Sequence, residues 1–289
     1  MLSRRTMLLA GAAGLAGVAQ AVEGAESPTA TAGKSGKFVR FRHGTTTSYG
    51  LVLADQVRRL EGDLFGKWSE TKEHFALKDL QLLSPTTPTQ VLALAGNYRS
   101  HLKEETIPPK FQIPQIFFKT PSCLIAHGDS IVLPRGSAPV HYEAELVLDI
   151  GKTARNVAKE DALKYVFGAT CGNDVSARDW QKNDVQWWRA KGCDTFGPCG
   201  PMIVTGLNYD DLLLQLRLNG EVRQKERTSL LIHDVATMVS YISQHITMYP
   251  GDLIYTGTPG KTQEIKPGDT VEVEIEGIGV LKNPVIAAK

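Results

Sequence analysis

Hydrophobic and polar positions alternate most regularly at two places in the chain. Leu212, Leu214, Leu216 and Leu218 recur at every second residue and stop at Asn219-Gly220, a pattern that predicts a strand running into a hairpin. Val271, Val273 and Ile275 alternate with Glu272, Glu274 and Glu276 after a Lys266-Pro267-Gly268-Asp269 turn. This predicts a second strand, with its glutamates on the wet face of a sheet edge. Residues 115–119 and 141–150 read as further strands. Helical spacing is clear over Val235, Met238, Val239, Ile242 and Ile246, with Asp234 placed to cap the first turn. Residues 158–166 form a second, shorter helical candidate. No repeat period emerges, and the pattern predicts a mainly β (α+β) fold with a few covering helices.

The first residues carry a different pattern. Residues 1–21 have a short basic stretch at Arg4-Arg5, an apolar run from Met7 to Val18 and an Ala19-Gln20-Ala21 end, the layout of a cleaved secretory signal. The order Ser3-Arg4-Arg5-Thr6-Met7-Leu8 is similar to a bacterial twin-arginine signal, which implies export to the periplasm. An anchor is the alternative, but the run is shorter than the ~20 apolar residues a span needs. Residues 22–36 are rich in Ala, Gly, Thr and Ser and read as a flexible linker. Residues 37–85 read as a small N-terminal domain, closed by Ser84-Pro85-Thr86-Thr87-Pro88, and 90–289 as the larger domain.

Composition narrows the function. With 32 basic and 31 acidic side chains in 289 residues the net charge is +1, which lacks the basic excess of a nucleic-acid surface. Loss of Arg4 and Arg5 with the signal, and of no acid, makes it −1. No stretch after the signal is long and apolar enough for a stable membrane span. The four cysteines form no CxxC pair, which argues against a structural zinc site.

Several residues could carry chemistry. Glu143 and Glu145 stand two apart in a predicted strand, so their carboxylates face one side, where they would suit a hard cation such as Mg²⁺ or Ca²⁺. The same spacing at Glu272 and Glu274 reads as solvated surface, so spacing alone leaves both readings open. His141 shares their face, which leaves room for a transition metal without any supporting His spacing. Asp174 is a candidate ligand or an Asx-turn residue. Lys191 sits between Trp187-Trp188 and Gly192, in a shaped loop or at the surface. His101 and Glu104 would be neighbours on a helix, as a general base acting on water or as an incidental pair. Pro108, Pro109 and Pro114 bound that segment as they would a lid.

In order along the chain stand Asn97-Tyr98-x-x-His101, Glu143-x-Glu145, Gly172-Asn173-Asp174-Val175-Ser176-Ala177-Arg178-Asp179, Lys191-Gly192-Cys193-Asp194-Thr195-Phe196-Gly197-Pro198 and Gly257-Thr258-Pro259-Gly260. Together they resemble the fumarylacetoacetate hydrolase superfamily, over roughly residues 91–286. The resemblance implies a mixed β-roll, a homodimer, and Mg²⁺ (or Mn²⁺ or Ca²⁺) held by Glu143, Glu145 and Asp174. It implies that His101 and Glu104 activate water, that Lys191 neutralises developing charge, and that Arg178, Gln181 and Thr258 hold substrate oxygens. No acid occurs between Asp79 and Glu104, so the additional upstream ligand of the long eukaryotic members is missing and a shorter bacterial member fits better. The expected activity is metal-dependent hydrolysis of a C–C bond in a small acylpyruvate or dioxo-carboxylate. Oxaloacetate tautomerisation, or decarboxylation or isomerisation of a 2-oxo acid, is one alternative; a non-catalytic exported carboxylate-binding protein is another.

Overall fold

The computed structural model describes residues 36–102, 104 and 106–289. The expected signal, and the linker except for Gly36, lie outside the described residues. The chain opens with an antiparallel meander: β1 (Lys37–His43), β2 (Thr46–Leu53), β3 (Gln56–Gly62) and β4 (Trp68–Ala76). It continues through β5 (Val91–Ala95), the short helix α1 (Arg99–Leu102) and β6 (Gln115–Lys119). Next come β7 (Ala144–Ile150), β8 (Val166–Asn173), the helices α2 (Arg178–Asn183) and α3 (Trp188–Gly192), and β9 (Gly197–Val204). Then follow β10 (Leu213–Leu218), β11 (Glu221–Arg227), α4 (Val235–His245), β12 (Leu253–Tyr255), β13 (Thr270–Ile275) and β14 (Gly279–Ala287).

Two sheets dominate, as the mainly β, α+β reading requires. The larger has twelve strands, ten of them in the order β4-β3-β2-β1-β9-β8-β7-β12-β5-β6. The smaller runs β11-β10-β13-β14 and ends on Ile131–Leu133. Its β10 alternates buried and half-buried side chains, and the hairpin to β11 turns through Asn219 and Gly220, both at positive φ (54° and 84°). That is the conformation a two-residue turn needs to follow strand twist.

The main core lies between the sheets. Leu146, Leu148 and Ile150 of β7 meet Leu214, Leu216, Val271 and Val273, with Val235, Met238, Val239 and Ile242 of α4 closing one side. Every residue of β7 is buried, because Val147 on its other face packs with Val91, Ala93, Leu253 and Tyr255. A strand covered on both faces carries a continuous apolar run, so any charge on it is costly unless paired.

Three local expectations change. Residues 158–166 form a 3₁₀ segment, Lys159–Tyr165, rather than an α-helix. The strand expected over 141–150 is broken: Val140–His141 pairs with Ser176–Ala177, while β7 starts afresh at Ala144 beside β8. Glu272 and Glu274 do not lie on an edge strand, since β13 is flanked by β10 and β14. They stay half-buried there because Arg217 reaches both, at 3.0 and 2.6 Å.

Candidate active site

The carboxylates converge because β7 and β8 begin and end together. Ala144 pairs with Asn173, so Glu143, just before β7, and Asp174, just after β8, lie side by side. The Asp174 amide donates to the Glu143 carbonyl (2.8 Å), and the Glu143 amide to the Asn173 side chain (2.8 Å). Glu145, second residue of β7, joins them. One oxygen from each of the three lies within 4.8 Å of the others, and all three residues are buried. His141 does not join: its Nδ1 bonds Thr262 Oγ1 at 3.0 Å, and burial and Arg178 hold its pKa below the usual imidazole value.

Cations are built into the same place. Lys191, buried at the end of α3, donates to Glu143 (2.7 Å) and Asp174 (2.5 Å). Arg178, at the start of α2, donates to Glu143 (2.6 Å), Thr262 (2.7 Å) and the Gln181 side-chain oxygen Oε1 (2.7 Å). Sequence reasoning missed a third cation, Lys119. It ends β6 fully buried, donates to Asp174 at 2.7 Å and to the Phe196 carbonyl at 3.0 Å, and bonds the Lys191 carbonyl. The only available sign was a lysine closing an apolar strand.

Glu145 is different. Its oxygen accepts the Gly257 amide (2.7 Å) and has no cationic partner among the described residues. Burial, then the neighbouring charges of Asp174 and Glu143, push its pKa well above the ordinary range. Burial also pushes Glu143 up, but Lys191, Arg178 and His101 overcome it and hold that carboxyl low. Gly257 sits at φ 102°, and a Cβ there would come within 2.7 Å of Asn97 Cβ, so only glycine can present this amide. Asn97 fixes the turn by donating to the carbonyls of Thr256 (2.8 Å) and His233 (3.2 Å).

An oxygen-only donor set with one uncompensated buried carboxylate fits a hard divalent cation. Glu143, Glu145 and Asp174 are the residues that would hold it.

Glu143, Glu145 and Lys191 form the floor of a cavity of about 460 Å³. Its walls include Leu94, Phe111, Phe117 and Trp187, the last two rings packed edge to face at 5.2 Å. His101 Nδ1 contacts the Gly260 carbonyl at 2.8 Å, which requires the proton on Nδ1 and leaves Nε2 as the lone-pair nitrogen of the neutral ring. Nε2 lies 3.9 Å from Glu143. Glu104 lines the same cavity but is exposed, beyond the end of α1, and no described hydrogen bond joins it to His101. Gln181 lines the cavity, and its amide nitrogen makes no hydrogen bond among the described residues. Thr258 spends its hydroxyl proton on the Ala144 carbonyl (2.8 Å) and accepts from Gln224 (2.9 Å), so it can accept from a ligand but not donate to one.

Residues 90–286 match the family model for the fumarylacetoacetate (FAA) hydrolase C-terminal domain, and residues 37–85 match the Rv2993c-like N-terminal model. The chain belongs to the fumarylacetoacetate hydrolase superfamily. Relatives within it divide between reactions. The oxaloacetate tautomerase FAHD2A of Bos taurus mitochondria is 38% identical over 221 residues, spanning 72% of this chain and 70% of that protein. A solved 2-hydroxyhepta-2,4-diene-1,7-dioate isomerase from Mycobacterium marinum is 39% identical, with a TM-score of 0.81 over 87% of this chain and 98% of its own. A maleylpyruvate hydrolase from Sphingobium sp. SYK-6, solved with manganese(II) and pyruvate, is 27% identical, with a TM-score of 0.73 over 88% and 100%. Membership of this superfamily, with isomerase, tautomerase and hydrolase relatives, supports an enzyme.

Proposed function

We propose that this protein interconverts the keto and enol forms of a small 2-oxo-carboxylate of the oxaloacetate type, with Mg²⁺ as cofactor (Mn²⁺ or Ca²⁺ as substitutes). The carrying observation is the arrangement around His101. Its Nδ1 is committed to Gly260, while Glu104 stands away from it, so the ring offers one proton-transfer atom, Nε2, above a floor that carries Glu143, Glu145 and the Lys191 ammonium. Keto–enol exchange needs one such atom and no activated water.

Each residue has a defined task. Lys191 Nζ places a fixed positive charge where the substrate oxygen becomes anionic. Gln181 offers amide protons to the substrate carboxylate, and Arg178 holds the Gln181 oxygen and Glu143 in place. His101 Nε2 takes the proton from the carbon next to the carbonyl and gives it to the enolate oxygen to complete the enol, and the reverse transfer restores the keto form. Phe117 and Trp187 exclude water from that carbon. A divalent ion on Glu143, Glu145 and Asp174 would supply Lewis-acid polarisation of the carbonyl, worth several kcal/mol of transition-state stabilisation. Proton NMR of oxaloacetate in D₂O tests the reading: the Mg²⁺-loaded protein is expected to accelerate deuterium uptake at the methylene carbon. His101→Ala is expected to lower that rate by about 10²–10⁴-fold, and an unchanged rate in the variant would sink the assignment.

A second reading, C–C hydrolysis of an acylpyruvate, is favoured by the presence of both His101 and Glu104 on the cavity wall. Closure of α1 over a ligand would be needed to pair them. Loss of enol absorbance from acylpyruvates, with the two cleavage products appearing in equal amounts, identifies it. Export through the twin-arginine-like signal and a homodimer complete the proposal. Support for pairing comes from Ile113 and Phe118, exposed by 53% and 56% at and beside the free edge strand β6. Cell fractionation and light scattering of the purified chain check the two in turn.

A further inference from the structure

The cavity carries two lysines with opposite situations. Lys191, on the floor, is buried and spends its ammonium on Glu143 and Asp174. Lys110, on the wall, is exposed and makes no hydrogen bond or ion pair among the described residues. Its ammonium instead lies 4.7 Å from the centre of the Phe111 ring, an attraction that holds the charge in place without neutralising it.

The backbone under Lys110 is anchored. It belongs to the 3₁₀ turn Pro109–Phe111, where Pro109 fixes φ and the Phe111 amide donates to the Pro108 carbonyl at 2.8 Å. The Phe111 carbonyl is bonded by His233 Nε2 at 3.0 Å, and the His233 amide by the Asn97 side chain at 2.8 Å. The Phe111 ring lies so close to Gly96 that a Cβ there would meet it at 2.5 Å. Asn97, the residue that also positions the Gly257 turn, thus mounts Lys110 relative to the floor. The rest of the lining is mixed, with Leu102, Phe111, Phe117 and Trp187 apolar and His101, Gln181 and Thr258 polar. An unpaired cation on the wall, apolar rings beside it and the Lys191 ammonium on the floor match a ligand charged at both ends. Apart from the floor carboxylates, Glu104 is the one acid among the described residues that line the cavity, and it is exposed to solvent, where its repulsion of an anion is screened.

We propose that Lys110 is a specificity-determining residue: it selects 2-oxo acids whose tail carries a second negative group over those with a neutral tail. This rests on the proposed function for the identity of the head group, but its test does not need turnover. Oxamate and N-oxalylglycine share one unreactive head, and only the second extends it with a carboxylate. Calorimetry on the Mg²⁺-loaded full chain compares them in wild type, Lys110→Met and Lys110→Arg. Loss of one charge-assisted contact predicts about tenfold weaker N-oxalylglycine binding in Lys110→Met, oxamate affinity within about twofold, and recovery of most of the loss in Lys110→Arg. Equal weakening of both ligands, or no change in either, overturns the assignment. Binding as expected without deuterium uptake into oxaloacetate would retain Lys110 and discard the proposed reaction; no binding of either ligand would discard both.

Discussion

Glu145 and Asp149 sit four residues apart on β7, both fully buried, and meet that cost differently. Glu145 lies against two other carboxylates and a backbone amide, a position that a metal ion relieves. Replacing it with Gln removes the like-charge repulsion in the metal-free protein and removes a ligand from the loaded one. Thermal melts are therefore expected to rise for metal-free Glu145→Gln and to show a smaller increase on adding Mg²⁺ than wild type does. Asp149 has no hydrogen-bond partner for either oxygen among the described residues, and burial alone raises its pKa well above the usual value. A carboxyl that prefers its proton when folded favours the native state at pH below its unfolded pKa. That contribution declines as pH climbs from there toward the folded pKa. Asp149→Asn keeps the shape and stays neutral, so it should raise the melting temperature at pH 7 by a few degrees and do little at pH 3, as calorimetry at the two pH values would show.

Elements form where nearby residues agree. Helix α4 starts where Asp234 accepts the Thr237 amide at 2.7 Å, and it buries Val235, Met238, Val239 and Ile242 on one stripe. Asp234→Ala removes the cap and should cost about 1 kcal/mol, measured by urea denaturation; an unchanged midpoint would show that packing alone sets the start of the helix. This helix and the β10–β11 hairpin were legible in the sequence because both are written in residues within one or two turns of each other. Glu143 was harder. Its strand breaks at Tyr142 because the pairing partner changes from Ser176–Ala177 to β8, and a period-two pattern carries no sign of which strand is alongside. The same limit explains Glu272 and Glu274, whose alternation records one wet face but not the neighbours that make β13 an inner strand.

At the scale of the whole molecule, the convergence of Glu143, Glu145 and Asp174 could be read from the ordered motifs, whereas its supports could not. Lys119 meets Asp174 across 55 residues, and Asn97 meets His233 across 136. Such contacts exist only once the sheets are assembled, so single residues in unremarkable surroundings turn out to hold the floor and the rim. Chelation offers a test of how far the metal contributes to the whole. Adding Mg²⁺ at a hundred times its dissociation constant should stabilise the chain by about 2.7 kcal/mol, and EDTA should reverse the gain in a melt followed by circular dichroism. No shift in either direction would argue against a cation site in the native fold.

The first strand has its place beside one of the later ones. Lys37 and Phe38 of β1 pair with Val204 and Ile203 of β9, and the Gly36 amide donates to Thr205 from 169 residues away. Gln81 and Leu82 cover the far end of that edge at Arg42 and Phe41, so a chain made from its amino end completes the opening meander with the Lys37–Phe38 end unmet, and closes it only after most of the polypeptide exists. Contacts this distant in sequence form slowly. An edge left open in the meantime is a template for pairing with another chain. Synthesis halted before β9 should accordingly yield aggregates rather than a soluble amino-terminal fragment, which makes the order of emergence from the ribosome part of what this fold must survive.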